Sequence, residues 1–251
     1  MSIIIKTPEE IEKMRNAGRL AAEVLRSVCN AVEPGISTKE LDDFAAAVME
    51  RNGVASAFLG YMGYPAQTCI SVNDTVIHGI PSESQKIHNG DIVSIDVGVW
   101  ADGFVGDNAK TVVVGKISED VQRLVNGTEE ALAAGIDAAR AGNRLGDVSH
   151  AIEMVAVKHS LSVIREYVGH GCGRKMHEEP QIPNYGHSKI GPLLKPGMVL
   201  CLEPMFNLGS RAIRTLADGW TVVTRDGKPA AHFEHMVAVR AEGPAEILTP
   251  R

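Results

Sequence analysis

Two separate blocks of the chain repeat at one offset of 107 residues, and this constrains the fold more than any other feature. PGISTKELDDFAAAVMERNG stands over AGNRLGDVSHAIEMVAVKHS, with Gly35 over Gly142 and Leu41 over Val148. Further on, NGDIVSID stands over PGMVLCLE, with Gly90 over Gly197, Ile92 over Val199 and Asp96 over Glu203. Local signals follow the same order twice. Thr7-Pro8-Glu9-Glu10 is a capped helix start, and Ile11, Met14, Leu20, Val24 and Leu25 carry a helical stripe to about residue 31. Pro34-Gly35 ends it, and Ser37 or Thr38 opens a second helix through Met49. Strands are expected at 68–72, 91–99 and 104–114. The second half restarts with helices at 119–141 and 145–158, then strands at 163–168, 198–202, 221–224 and 232–239. The pattern predicts an α/β (α+β) chain folded as a single domain, 1–251. Its halves, approximately 1–117 and 118–251, each hold two helices and then antiparallel strands.

Composition narrows the setting. A 251-residue chain that is 44% hydrophobic can bury one substantial core. A net charge of −6 with no lysine/arginine cluster argues against nucleic acid or a membrane surface as partner. The run Ile3-Ile4-Ile5 is too short for a signal-peptide core or a membrane span, so a cytoplasmic location is expected. Cys29, Cys69, Cys172 and Cys201 form no C-x-x-C pair, which predicts free thiols and excludes a cysteine-rich zinc finger.

The chemistry gathers in DVGVWADGFVGD. Asp102-Gly103 is a two-residue hairpin turn between alternating strands, which sets Gly98 opposite Asp107 and Asp96 opposite Ala109. Asp96 and Asp107 then share a sheet face as diagonal neighbours, roughly 7–8 Å apart at the backbone. Two carboxylates on an apolar face repel and lose hydration, and a cation between them removes both penalties. The repeat adds Glu203 as the counterpart of Asp96. Aligning HFEHMVAV with VGDNAKTV puts Glu234 at the place of Asp107. A pseudo-two-fold axis would gather all four acids, whose charge matches two divalent cations. One histidine is expected to join them, with His170 and His177 in GHGCGRKMHEEP and His78 in IHGIP as candidates. Oxygen-rich ligation with one imidazole suits manganese, iron(II), cobalt or zinc.

These segments resemble a known family. IDVGVWADGFVGD, GHGCGRKMHEEP, CLEPM and FEHMVAV look like the metal-site segments of type I methionine aminopeptidases, and CISVNDTVIHGIP and FLGYMGYP like their substrate-side segments. The likeness runs from KTPEEIEKMR to EILT. HEEP with IRTLADGWTV separates it from aminopeptidase P and prolidase, which share the five-ligand pattern.

The resemblance implies a pita-bread fold, with two pseudo-two-fold-related halves and an antiparallel sheet around a dinuclear metal site. It implies Asp96, Asp107, His170, Glu203 and Glu234 as ligands of two divalent ions that acidify a water. Glu203 would shuttle the proton, His177 would donate to the oxyanion and His78 would contact the scissile amide. Tyr61, Tyr64, Cys69, Met176 and Trp220 would line the methionine pocket, with His78 and His177 beside the substrate. The implied activity is removal of the first methionine of nascent polypeptides before a small second residue, at the ribosome, by a monomer. An Xaa-Pro peptidase of the same fold and a non-catalytic binding module are the alternatives. Met176 stands where phenylalanine is usual, Cys172 replaces an aliphatic residue, and Asn108 and Phe58 also depart from the commoner pattern. The zinc-binding N-terminal extension and the helical insertion of type II enzymes have no counterpart in the sequence.

Overall fold

The computed structural model describes residues 2–250, so the expected domain ends, 1 and 251, lie outside the described residues. Its four helices are α1 (Pro8–Ala31), α2 (Thr38–Arg51), α3 (Glu119–Ala138) and α4 (Leu145–Lys158). The caps follow from the sequence. Thr7 and Glu10 exchange side-chain and backbone hydrogen bonds at the start of α1, as do Ser37 and Glu40 at the start of α2. The spacing of 107 recurs in the fold. It relates the bounds of α2 to those of α4, and the isolated bridge Ser37↔Lys86 to Arg144↔Leu193.

Nine strands form one antiparallel sheet in the order Ala55–Ser56, Ile92–Ala101, Phe104–Val113, Glu234–Ala238, Val199–Leu202, Gly169–Gly171, Glu178–Ile182. Cys69–Val72 also pairs with Ile92–Ala101, and Glu246–Ile247 with Glu234–Ala238. The helices cover one face. Val24, Leu25 and Val28 of α1, with Leu41 and Val48 of α2, pack on Val93, Ile95 and Val97. Leu132 of α3, with Val148 and Ile152 of α4, packs on Leu200, Leu202 and Val237. Because strand side chains alternate, burying Ile95 and Val97 under helices sends Asp96 to the other face. Burying Leu200 and Leu202 does the same for Cys201 and Glu203. The helix layers therefore dictate where the acids point.

The hairpin has the expected register. Ala101 pairs with Phe104, Gly98 with Asp107 and Asp96 with Ala109. Asp102 and Gly103 both have positive φ, 52° and 76°, the conformation of a tight hairpin turn that matches strand twist.

Two strand expectations are corrected. Of 163–168 only Val163 is in a strand, the short Ser162–Val163, and residues 164–168 are loop that carries Tyr167 inward. The run 232–239 is two strands split at Phe233. Ala230–His232 belongs to a three-stranded sheet, and Glu234–Ala238 to the large one. The chain changes sheets there, and Phe233 N donates to Pro204 O at 3.3 Å.

Candidate metal centre

The hairpin brings Asp96 and Asp107, the strand end after Leu202 brings Glu203, and the adjacent central strand brings Glu234. Glu234 is the register partner of Ala109, so it lies in one row with Asp96. His170 arrives on the short strand Gly169–Gly171 as the partner of Cys201. All five side chains line one cavity of about 190 Å³. His170 Nε2 lies 3.7 Å from Asp107 Oδ2 and 3.5 Å from Glu203 Oε1. Of the three histidines offered by the sequence, His170 is the one set among the acids.

The acids are buried: Asp107 and Glu234 are 2% exposed, Glu203 7% and Asp96 9%. Burial raises the pKa of all four. Asp96 goes from 3.8 to about 7. The neighbouring carboxylates push Asp107, Glu203 and Glu234 further up. Without a cation these groups resist ionising together, and a divalent ion reverses that. Two further observations fit a cation. Asp96 Oδ1 and Asp107 Oδ1 have no hydrogen-bond partner among the described residues. His170 Nδ1 sits 2.9 Å from the carbonyl oxygen of Gly171, to which an Nδ1–H donates. That bond leaves the Nε2 lone pair facing the carboxylates, as a ligating imidazole requires. Burial, then His177, lowers the His170 pKa to about 3, so the ring is neutral and able to ligate. The donor set thus fits divalent metal.

The opposite wall is aromatic and sulfurous. Tyr61, Tyr64, Cys69, His78, Met176, His177 and Trp220 all line the same cavity. Tyr64 packs edge-on against Trp220, with ring centroids 5.1 Å apart, and its hydroxyl reaches the carbonyls of Thr68 and Gly79. His177 Nδ1 is 2.8 Å from the Tyr61 hydroxyl, and its ring stacks edge-on with His170 at 4.3 Å. His78 stands between Tyr167 and Trp220, at 5.4 and 6.0 Å. Its φ is 59°, a left-handed conformation that costs about 1–3 kcal/mol in a non-glycine residue. Burial lowers the pKa of His177 and takes that of His78 to about 4, so both rings are neutral near pH 7. Phe58 also lines the cavity, and Gly98 makes its place: a Cβ there would lie 2.5 Å from the ring.

Four residues at the site were not singled out as functional. Tyr167, on a loop, and Met62, on the single 3-10 turn Tyr61–Gly63, line the cavity from segments without periodicity. His232 Nε2 approaches Glu203 Oε2 at 4.0 Å. Cys201 Sγ lies 3.9 Å from Asp107 Oδ2, and the letters did carry a signal for it. It stands two residues before Glu203, hence on the same strand face.

Comparison with known proteins bears on this geometry. The model of Metallopeptidase family M24 matches residues 12–241. Methionine aminopeptidase 1 of Bacillus subtilis is 50% identical over 247 residues, covering 98% of this chain and 99% of that protein. The crystal structure of methionine aminopeptidase from Thermotoga maritima superposes with a TM-score of 0.97 at 44% identity, covering all of both chains. Prolidase from Pyrococcus furiosus shares the fold at a TM-score of 0.79 and 24% identity, and the chain covers 66% of it. The architecture is the pita-bread fold common to these proteins. No helix among the described residues is long and apolar enough to cross a membrane.

Proposed function

The chain belongs to metallopeptidase family M24, and on that premise we propose that it is a metalloaminopeptidase that removes the N-terminal methionine of polypeptides. One observation carries this reading: four buried carboxylates and a neutral imidazole meet at the floor of a cavity whose other wall is aromatic and thioether. Asp96, Asp107, His170, Glu203 and Glu234 are the proposed ligands of two divalent ions, drawn from cobalt, manganese, iron(II) and zinc. When bound, such ions supply an acidified water and a Lewis acid for the scissile carbonyl.

The chain's own groups do the rest. Glu203 would take the proton of the attacking water and pass it to the departing amine. A Tyr61 hydroxyl that donates to Nδ1, 2.8 Å away, would hold the His177 proton on Nε2, from which it can be donated to the oxygen on which negative charge builds. His78, held between two aromatic rings, would contact the amide nitrogen being released. The free α-amine of the substrate would be held by the second ion or by Asp96, which limits cleavage to the first residue. Tyr64, Cys69, Met176 and Trp220 form a polarisable apolar slot that suits a flexible thioether. A small second residue is preferred because the substrate backbone must approach the buried carboxylates closely.

We further propose that residues 1–117 and 118–251 are duplicated halves of one domain, supported by the spacing of 107 in the helix bounds and bridges. Cytoplasmic action on nascent chains at the ribosome, as a monomer, completes the proposal.

The test compares a Met-Ala-Ser peptide, its N-acetylated form and an Xaa-Pro peptide, each with and without added divalent metal. Metal-dependent cleavage of the first alone supports the reading. Preferential cleavage of the Xaa-Pro peptide would make the chain a prolidase-like enzyme, and cleavage of none would make it a binding module.

A further inference from the structure

Cys201 lies inside the ring of acids. It shares a strand face with Glu203 and is the register partner of His170 across the sheet. One donor atom each from Asp107, His170, Cys201 and Glu234 lies within 4.8 Å of the others, and all four residues are buried. Two edges of this cluster are close to those around a bound ion. Metal–sulfur bonds of about 2.3 Å and metal–oxygen or metal–nitrogen bonds of about 2.0 Å, in a tetrahedron, set sulfur–oxygen edges of roughly 3.5 Å and nitrogen–oxygen edges of roughly 3.3 Å. The Cys201 Sγ–Asp107 Oδ2 edge is 3.9 Å and the His170 Nε2–Asp107 Oδ2 edge 3.7 Å. Each exceeds the ideal by about 0.4 Å, which small side-chain rotations absorb. The other oxygen of Asp107, a residue 2% exposed, has no hydrogen-bond partner among the described residues.

We propose that the Cys201 sulfur is itself a donor to one of the ions, so that this centre takes thiophilic divalent cations (zinc, cobalt(II), cadmium) in preference to manganese or magnesium. The inference rests on the reading that Asp107, His170 and Glu234 hold an ion. A thiolate is a soft ligand, whereas a purely carboxylate and imidazole set leaves hard ions competitive. As the metal binds, the S–H proton leaves to solvent and the sulfur lone pair forms the new bond. Cys172 is the internal control. It is equally buried and adjoins Cys201, but its Sγ reaches the Val105 carbonyl oxygen, 3.9 Å away, and it contributes no donor to the cluster.

The experiment titrates the metal-free full chain anaerobically with cobalt(II) and records its absorption spectrum, for wild type, Cys201→Ser and Cys172→Ser. Visible ligand-field bands report binding, and a near-ultraviolet sulfur-to-cobalt charge-transfer band reports the thiolate. The band is expected in wild type and Cys172→Ser and absent from Cys201→Ser. The ratio of cadmium to manganese affinity should fall on the order of ten-fold or more in Cys201→Ser. Ligand-field bands without the charge-transfer band in wild type would overturn the inference and leave the peptidase reading standing. Persistence of the band in Cys201→Ser would overturn the assignment to this sulfur. No cobalt bound at all would overturn both readings. If Cys201→Ser does not fold, the wild-type spectrum still decides.

Discussion

Lys6 and Glu178 form an ion pair that ties the N-terminal segment to the loop bearing His177. The Lys6 Nζ–Glu178 Oε2 distance is 2.5 Å, and the side chains are 3% and 4% exposed. The same carboxylate accepts from the backbone N–H of Lys175 at 3.3 Å, while Lys6 N donates to Gly197 O at 2.8 Å. Lys6→Met removes the cation and leaves a carboxylate stranded in the interior. Breaking a buried pair from one side costs about 3–5 kcal/mol, because the remaining charge keeps its desolvation penalty. In a chain of this length each kcal/mol moves the midpoint by roughly 2–4 °C, so the expected drop in Tm is roughly 6–20 °C. Adding Glu178→Gln should restore part of the loss, with a coupling energy on the order of 2 kcal/mol in the double-mutant cycle. Denaturation of the four proteins, all stripped of metal, measures this. Because His177 is the neighbour of Glu178, kcat for peptide cleavage should fall more than KM changes in Lys6→Met. A loss below about 0.5 kcal/mol, or two single losses that simply add, would refute the reasoning.

Three further outcomes are expected. His177→Ala should lower kcat on the order of 10²–10³-fold with unchanged metal content, measured by elemental analysis, and loss of a metal ion would show that His177 is a ligand. Met176→Phe should shift the profile across Met-Xaa peptides (Xaa from glycine to lysine) on the order of ten-fold in kcat/KM, or about 1.4 kcal/mol, and an identical profile would remove position 176 from the pocket wall. The third concerns pH. Burial raises the folded-state pKa of Asp96 from 3.8 to about 7, so the metal-free fold retains a proton that the unfolded chain has lost. That contribution is fully present below about pH 4 and is lost as the pH rises to about 7. The stability gap between metal-loaded and metal-free protein should therefore widen from pH 5 to pH 7 in denaturation experiments, and a constant gap would contradict the burial argument.

The parts of the site that were legible in the sequence are those set by short-range rules. The Asp102-Gly103 turn fixes the hairpin register, and side-chain alternation then fixes the face of Asp96 and Asp107. The pairing of Asp96 with Glu203 came from the internal repeat, and the helix caps from Thr7 with Glu10 and Ser37 with Glu40. Long-range effects were not legible. Residues 164–168 have the composition of a strand, but after Ile164, whose N–H still donates to Met205 O at 3.0 Å, the chain leaves the sheet and forms the loop that delivers Tyr167. Residues 232–239 alternate as one strand, yet the chain crosses between sheets at Phe233. Cys201 was within reach, since its parity with Glu203 places it on the acidic face.

The central claim, that buried carboxylates hold the metal that cleaves the peptide, is met most directly by removal and return of metal. Chelation should abolish cleavage of a Met-Ala-Ser peptide by wild type, and cobalt(II) or manganese(II) should restore it, with activity reaching its maximum at no more than two ions per chain. Asp107→Asn should stay inactive under saturating metal while keeping its fold by circular dichroism, because its carboxylate lies within reach of both His170 and Cys201. Full activity in Asp107→Asn, or cleavage by the chelated wild type, would contradict the account.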